Sequence, residues 1–502
     1  MYRAVGRGYS GVTPAPASVW LILSSWRELP MSNPSTNDRV HCRRSALALA
    51  LVLGLVVCQD TAVRCAAGEA KDTDKERPTA VGENASSAGV LLRWDASKRL
   101  WQSVEPQARV STVEPLMALP GSRAEVDVKT KKGTVRLSLW GNLPELSSFP
   151  GRESVLVLHA EPGVDVSFTL KRGRAAVTNL KDKGDASVRV RFEDDGYDMS
   201  LEGKESQAAL ELYGRWPPGI PFTKEKHRKN AKEKPEAGEQ ESPAISVVVH
   251  VIKGAVDLKV GSDHYGLHAP PGPAFFAWDS LRGPARSPRR KDKLPTWAEP
   301  GGSHDDESKA IHAAADGLAG RLVDKSVDKV LSDALDAGDA TTRKLAVHGL
   351  AAINDLPHLL DALGDAKHAD VRQTASDALR HWIGRGPQQD QELYKFLVNR
   401  AKYSEGQAEI VLQLLHDFAD DDWFRPETYE SLIGYLRSSK FPVRELAMLQ
   451  LYYTAPSVPY KAKKIPYDPA GSAEERDRAY KAWKKLIPDG TVPRQLERPR
   501  EK

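Results

Sequence analysis

The hydrophobic period of this 502-residue chain changes once, near residue 300, and that single change sets what it can fold into. Between Leu91 and Ser280, short apolar runs alternate with polar residues and are punctuated by Gly, Pro, Asp and Asn, giving about eleven strand candidates. Val135, Leu137 and Leu139 alternate with Arg136 and Ser138, and Val188, Val190 and Phe192 with Arg189 and Arg191. That pattern predicts antiparallel strands with one face buried and the other wet. From about Ser308 the period becomes helical, as in the stripe Ile410, Val411, Leu414, Leu415 and Phe418, and roughly ten helices are expected. An all-β region followed by an all-α region is the resulting fold class, because neither period can serve the other element.

The first 67 residues read as a leader. From Met31, read as the start, Arg39, Arg43 and Arg44 precede an uncharged apolar run from Ser45 to Val57, and Cys65-Ala66-Ala67 offers small residues for cleavage before Gly68. The run has 13 residues, short of the ~20 that span a bilayer. A second reading makes Cys58 a lipid attachment site, since Leu55-Val56-Val57-Cys58 resembles a lipobox, with Val57 where a small residue normally stands. Export to the periplasm or cell envelope follows from either reading. All three cysteines lie in the leader, so a chain cut after Ala67 has no disulfide and no thiolate chemistry. The leader also holds seven Arg and three acidic residues, and its removal leaves 65 basic against 65 acidic side chains. This neutrality gives no support to nucleic-acid binding, which needs a concentrated positive face.

The remaining boundaries follow composition: a polar spacer at 68–87, the β-rich region at 88–285 with a charged loop at 221–243, a Pro- and Arg-containing linker at 286–307, the helical region at 308–488 and a tail at 489–502. Two segments share a form, an apolar strand reaching a Lys-containing turn with Gly and an alternating strand leaving it. They are Phe168 to Val177 around Gly173 and Val249 to Leu258 around Gly254, expected here as hairpins whose glycines take positive φ. The second, Val251-Ile-Lys-Gly254-Ala-Val256-Asp-Leu, followed by Tyr265-Gly-Leu-His-Ala-Pro-Pro-Gly272, resembles the signature hairpin of FecR-like periplasmic domains. That resemblance implies a β-rich envelope sensor module. The chain departs from regulatory members in lacking a cytoplasmic anti-sigma segment.

Among the expected helices a single string recurs three times: Arg343 with Ala346 and Leu350, Arg372 with Ala375 and Leu379, and Arg444 with Ala447 and Leu451. Ala at +3 and Leu at +7 place a small and a large residue on one inward face, with Arg near the helix start. The string resembles the second helix of short HEAT-type repeats, which implies an armadillo-type solenoid serving protein interaction. Ser472-Ala-Glu-Glu475 is a capping box that opens a final helix.

The chain carries no P-loop, dinucleotide fingerprint, HExxH, EF-hand loop or nucleophile elbow, so no catalytic residue, cofactor or metal is assigned and a non-enzyme is expected. Asp263, His264 and His268 read as a surface turn rather than a metal site, and Asp417, Asp420, Asp421 and Asp422 as capping before Pro426. His250 reads as a core histidine. Trp216, beside Pro217 and Pro218 at a strand end, is the candidate ligand contact. Two functions remain open: a non-catalytic signalling adaptor holding an envelope protein on its solenoid, or a structural protein binding cell-wall polymer through the β region. Cleavage before Gly68 is checked by the mass of the exported protein's first peptide; an acylated Cys58 at that end is the opposing result.

Overall fold

Strands fill the chain up to Lys291 and helices follow from Asp306. The computed structural model describes residues 78–493, apart from 87–89, 193–194, 225–241, 282, 285–287, 300–304, 323–324, 457 and 459–461. The leader, with Cys58, Arg286 and most of the charged loop lie outside the described residues.

Sixteen strands join in one mixed sheet. They are β1 Ala80–Asn84, β2 Leu91–Asp95, β3 Leu100–Val104, β4 Arg109–Ser111, β5 Pro115–Ala118, β6 Arg123–Thr130, β7 Gly133–Trp140, β8 Ser154–His159, β9 Val166–Asn179, β10 Ala186–Phe192, β11 Asp195–Arg215, β12 Ala244–Val260, β13 Asp263–His268, β14 Gly272–Asp279, β15 Gly283–Pro284 and β16 Arg289–Lys291. All pairs are antiparallel except β9 with β10. Ten α-helices follow among the described residues: α1 Asp306–Arg321, α2 Val327–Asp333, α3 Ala340–Ala352, α4 Leu356–Leu363, α5 Ala369–Ile383, α6 Gln389–Asn399, α7 Glu405–His416, α8 Pro426–Tyr435, α9 Phe441–Leu449 and α10 Ala473–Lys484.

The two segments expected as hairpins are bent strands instead. β9 runs unbroken through Gly173 at φ +91° and β12 through Gly254 at φ +75°. Before Gly173, β9 pairs with β8 and β10; after it, with β7 and β11. β12 behaves alike, leaving β14 for β13 as it passes Gly254. β11 turns the same corner between Glu202 and Gln207, where its register shifts. The positive φ predicted for both glycines is present, but it serves a corner at which one strand crosses from sheet half to sheet half. A sequence cannot distinguish a glycine that reverses the chain from one that bends it, because the difference lies in the pairing partners.

The three corners fold the sheet onto itself. One half carries β3, β2, β5, β8, β10, β13 and one end of each bent strand; the other carries β4, β1, β6, β7, β14 and the opposite ends. Val126, Leu137, Leu156, Phe168, Val190, Leu210, Val249 and Phe276 fill the space between them. On β6 and β10 the inward alternation holds, and on β7 Val135, Leu137 and Leu139 point inward as the sequence implies, but Ser138, expected on the wet face, is buried as well. On β2, β5 and β8 it does not: Leu91 and Leu92, Leu116 and Met117, and Val155 and Leu156 are all buried. Their second face lies under helices, where Leu92, Met117 and Val155 pack with Ile311, Leu318, Leu331, Leu345 and Leu350. The order of layers is therefore sheet half, sheet half, helices, all within one compact unit from Pro78 onward. Non-alternating runs such as Val155-Leu-Val-Leu158 are the sequence mark of this double burial.

A Cβ on Gly173 would stand 2.1 Å from the Glu153 carbonyl oxygen, whereas one on Gly203, at φ +74°, meets nothing within 4 Å. Gly173→Ala is expected to lose about 3 kcal/mol in urea unfolding and Gly203→Ala about 1 kcal/mol, because only the former adds a steric clash to the backbone cost.

Candidate functional site

An ionic contact and an aromatic contact join sheet to helices, and Arg152, Glu153, His348, Gln391 and His416 are buried there. Arg152 and Glu153 stand at the start of β8, ahead of its apolar run, and Arg172 on the neighbouring β9. The Glu153 carboxylate is completely buried, ion-paired with Arg172 and, at 2.8 Å, with Arg385 just beyond α5. His381 Nε2 of α5 lies 3.5 Å away. Arg385 also donates to the Ala351 carbonyl at 2.7 Å and Arg172 to the Ala352 carbonyl at 3.2 Å, so both guanidiniums hold the last turn of α3. Beside them Arg152 pairs with Asp377 at 2.8 Å, and His348 Nε2 lies 3.9 Å from the same carboxylate.

Burial alone would raise Glu153, but the Arg385 and Arg172 guanidiniums outweigh it and hold its carboxyl well below the usual range. Asp377 follows the same logic through Arg152 and falls to about 2. Burial, with Arg152 adding like charge, pushes His348 down to about 4, and burial also lowers His381. Both imidazoles are thus neutral near pH 7, and two carboxylates, Glu153 buried and Asp377 half-buried, face three guanidiniums across the seam. Such a cluster fixes geometry: removing one partner leaves an uncompensated buried charge, at a cost of about 3–5 kcal/mol.

The second contact is a strap. After β11 the chain Trp216 to Lys224, with prolines at 217, 218 and 221 that keep it out of any ladder, lies along α6 and α7. Trp216, the sequence's candidate ligand contact, is half-buried here, its ring 4.7 Å from that of His416 and its indole N–H donating to the Ile383 carbonyl at 3.1 Å. His416 Nδ1 donates to the Ile220 carbonyl at 3.1 Å, Phe222 packs on Tyr394 at 5.4 Å, and Gln391 donates to the Thr223 carbonyl at 2.6 Å. Lys224 closes the strap on Glu405. Beyond it an open groove of about 320 Å³ is lined by Phe222, Lys224, Gly406, Glu409, Ile410, Gln413 and Tyr435.

The three repeated arginines form a ladder, each on the fourth residue of its helix. Arg343 of α3 reaches Asp370 of α5 with paired bonds of 3.0 and 3.1 Å; Arg372 of α5 reaches Glu445 of α9 at 2.7 Å; Arg444 of α9 donates to the Pro469 carbonyl at 2.9 Å. Each also donates to a carbonyl of the loop before its own helix, at Ala337, Asp365 and Ser438. Ala346, Ala375, Ala447, Leu350, Leu379 and Leu451 are all buried. The fourth residue of α7 is Ala408, so the ladder passes over α7, and this helix is the one the strap holds.

The other candidates stay apart. His264 is exposed on β13, 3.6 Å from Asp257, and His268 stands four residues along the same strand. Asp422 accepts from the Ala419 N–H at 3.1 Å in the short turn before α8. His250 is buried with Nε2 3.4 Å from Glu211, which also pairs with Arg174; Trp297, from the stretch read as a linker, covers the Arg174 guanidinium at 3.7 Å. Among the described residues no three His, Cys, Asp or Glu side chains converge on a point, and no helix is long and apolar enough to cross a membrane. Sequence reading missed Arg152, Glu153, Arg172 and Arg385, whose one local signal is a charged pair placed directly before an apolar strand.

Compared with protein-family models, curated proteins and solved structures, the chain matches none.

His348 is lower in the folded than in the unfolded chain, so the folded state binds fewer protons below pH 6.5. Stability present above pH 6.5 is lost as the pH falls towards about 4, by about 3 kcal/mol for this group, while the carboxylates contribute their loss below that window. Urea unfolding across pH 4–7 is expected to show this slope in the native chain and a flatter one in His348→Gln.

Proposed function

We propose that this chain is a non-catalytic adaptor of the bacterial cell envelope, with a FecR-like sensor module in its β region and a HEAT-like, armadillo-type array in its helical region. The observation that carries the reading is the arginine ladder. It ties α3 to α5, α5 to α9 across the unit of α7, and α9 to the final segment, contacts of the kind a stacked repeat array uses, since each unit completes its core only against others. An array held this way offers a series of exposed helix faces to a protein partner. The FecR-like residues lie on the bent strand through Gly254, so the FecR-like part of the reading rests on the sequence resemblance and on the positive φ of that glycine, not on a hairpin.

The fixed seam adds a mechanical element to the reading. Glu153, Arg172 and Arg385 tie the sheet to the ends of α3 and α5, so a load on the β region reaches the helices without an intervening flexible linker. Trp216, whose ring and N–H are both engaged at the strap, favours the adaptor over wall-polymer binding through that residue.

In-cell crosslinking of the tagged, exported chain followed by mass spectrometry is the test. Crosslinks from the Ala310–Leu486 region to one envelope protein are the expected result; wall fragments on β peptides with no protein partner would overturn the reading.

A further inference from the structure

Charge is unevenly spread over the helical half. Between Glu405 and Tyr435 stand eight acidic residues and a single basic one, Arg425. Some of these carboxylates are engaged locally: Glu405 with Lys224, Asp417 with Arg380, and Asp422 with Arg425. Glu409, Glu427 and Glu430 are exposed, and the described residues bring no ion pair to Glu409.

The groove beside the strap lies within this acidic stretch. Its apolar surface comes from three elements at once: Phe222 of the strap, Ile410 of α7 and Tyr435 of α8, each only half-buried. Gly406, one turn before Ile410, contributes no side chain, and a Cβ there would meet nothing within 4 Å, so the groove is open at that end. Glu409 and Gln413, one turn apart on α7, form one wall. The volume of about 320 Å³ admits one or two aliphatic side chains rather than a folded domain.

We propose that this groove docks a short basic segment of a partner protein, seating an aliphatic anchor on Phe222, Ile410 and Tyr435 while a neighbouring Lys or Arg of the partner faces Glu409. The inference rests on the adaptor reading and supplies its point of contact. Charge complementarity selects the occupant: Lys224, which also lines the groove, is already paired with Glu405, so the charge left there is that of Glu409, which repels an acidic peptide and gives a hydrophobic one no orientation, whereas a cation beside the anchor satisfies both surfaces. Position in the fold favours the same site. On α7 Glu405, Gly406 and Glu409 are exposed, and the groove opens between this face, the strap and Tyr435 of α8.

The test uses the exported full chain and a fluorescein-labelled peptide of repeated Lys-Leu-Lys, read by anisotropy at low and at physiological salt. Binding is expected to weaken about tenfold or more in Glu409→Lys and in Ile410→Ser, the size of losing one anchor contact. Peptides with Glu for Lys, or Ser for Leu, are expected not to bind. Equal weakening by Glu474→Lys, an exposed reversal on α10, would show diffuse charge attraction and overturn the proposal. Unchanged binding in both groove variants overturns it too, as does binding that appears only after the chain's own Lys226, Arg228, Lys229 and Lys232 are replaced by Ser, since the groove would then belong to that segment. A benzoylphenylalanine at Gln413 in the cell separates the two levels of the argument. Protein crosslinks elsewhere on the helices with none at Gln413 remove the groove and leave the adaptor standing; no protein crosslinks from any helical position remove both.

Discussion

The completely buried carboxylate of Glu153 is the point on which the assembly of this molecule turns. It stands directly before a strand whose two faces are covered, one by the opposite sheet half and one by helices, and water cannot reach it. A carboxylate so placed is tolerable only if cations meet it. The cations come from both halves of the chain, Arg172 from the sheet and Arg385 from beyond α5, and their remaining donors hold carbonyls at the end of α3. The charge pairing therefore specifies which helix ends sit on which strands. Apolar burial under α1 and α3 supplies the larger share of the attraction, but Leu and Val contacts alone tolerate sliding, and an ion cluster with fixed geometry does not.

A second consequence concerns how the helices are ordered. Three arginines at the same position of their helices, Arg343, Arg372 and Arg444, each tie a helix to a later segment of the chain. Arg372 spans from α5 to α9, where Glu445 accepts it, and α7, with Ala408 where the others carry Arg, adds no rung of its own. α6 and α7 are held instead by the apolar core they share with α5 and α9 and by Arg380 and Gln450, both donating to the Leu414 carbonyl. The strap from the β region adds His416, Gln391 and Glu405 as anchors. Sheet and helices are thus interdependent: the sheet provides a base for α1 and α3 and a clasp for α6 and α7.

The adaptor reading follows from this rigidity together with an outward helical surface that is locally acidic. The buried titratable groups compensate one another at the seam, where they serve architecture, while Glu409 and its neighbours face solvent around a small groove. Structural charges lie inside in pairs, and around the groove the acidic charges lie outside in excess.

Much of the architecture was legible from residue patterns. The change of period near residue 300 separated β from α, the inward faces of β6, β7 and β10 followed from alternation, and the Arg, Ala and Leu string located α3, α5 and α9, because these features depend on contacts within one element or on its inward stripe. The positive φ of Gly173 and Gly254 was likewise local. What those glycines do was decided by tertiary structure alone: whether a chain reverses or bends depends on which strands stand on either side of it. The same holds for Trp216, whose ring is covered by a helix some two hundred residues later in the chain, and for Glu153, whose partner Arg385 is as remote. Sequence determines the periodicity and conformational preferences of each segment; only the folded chain brings distant charges within a few ångströms of one another, and that proximity turned a charged pair at the head of a strand into the lock between sheet and helices.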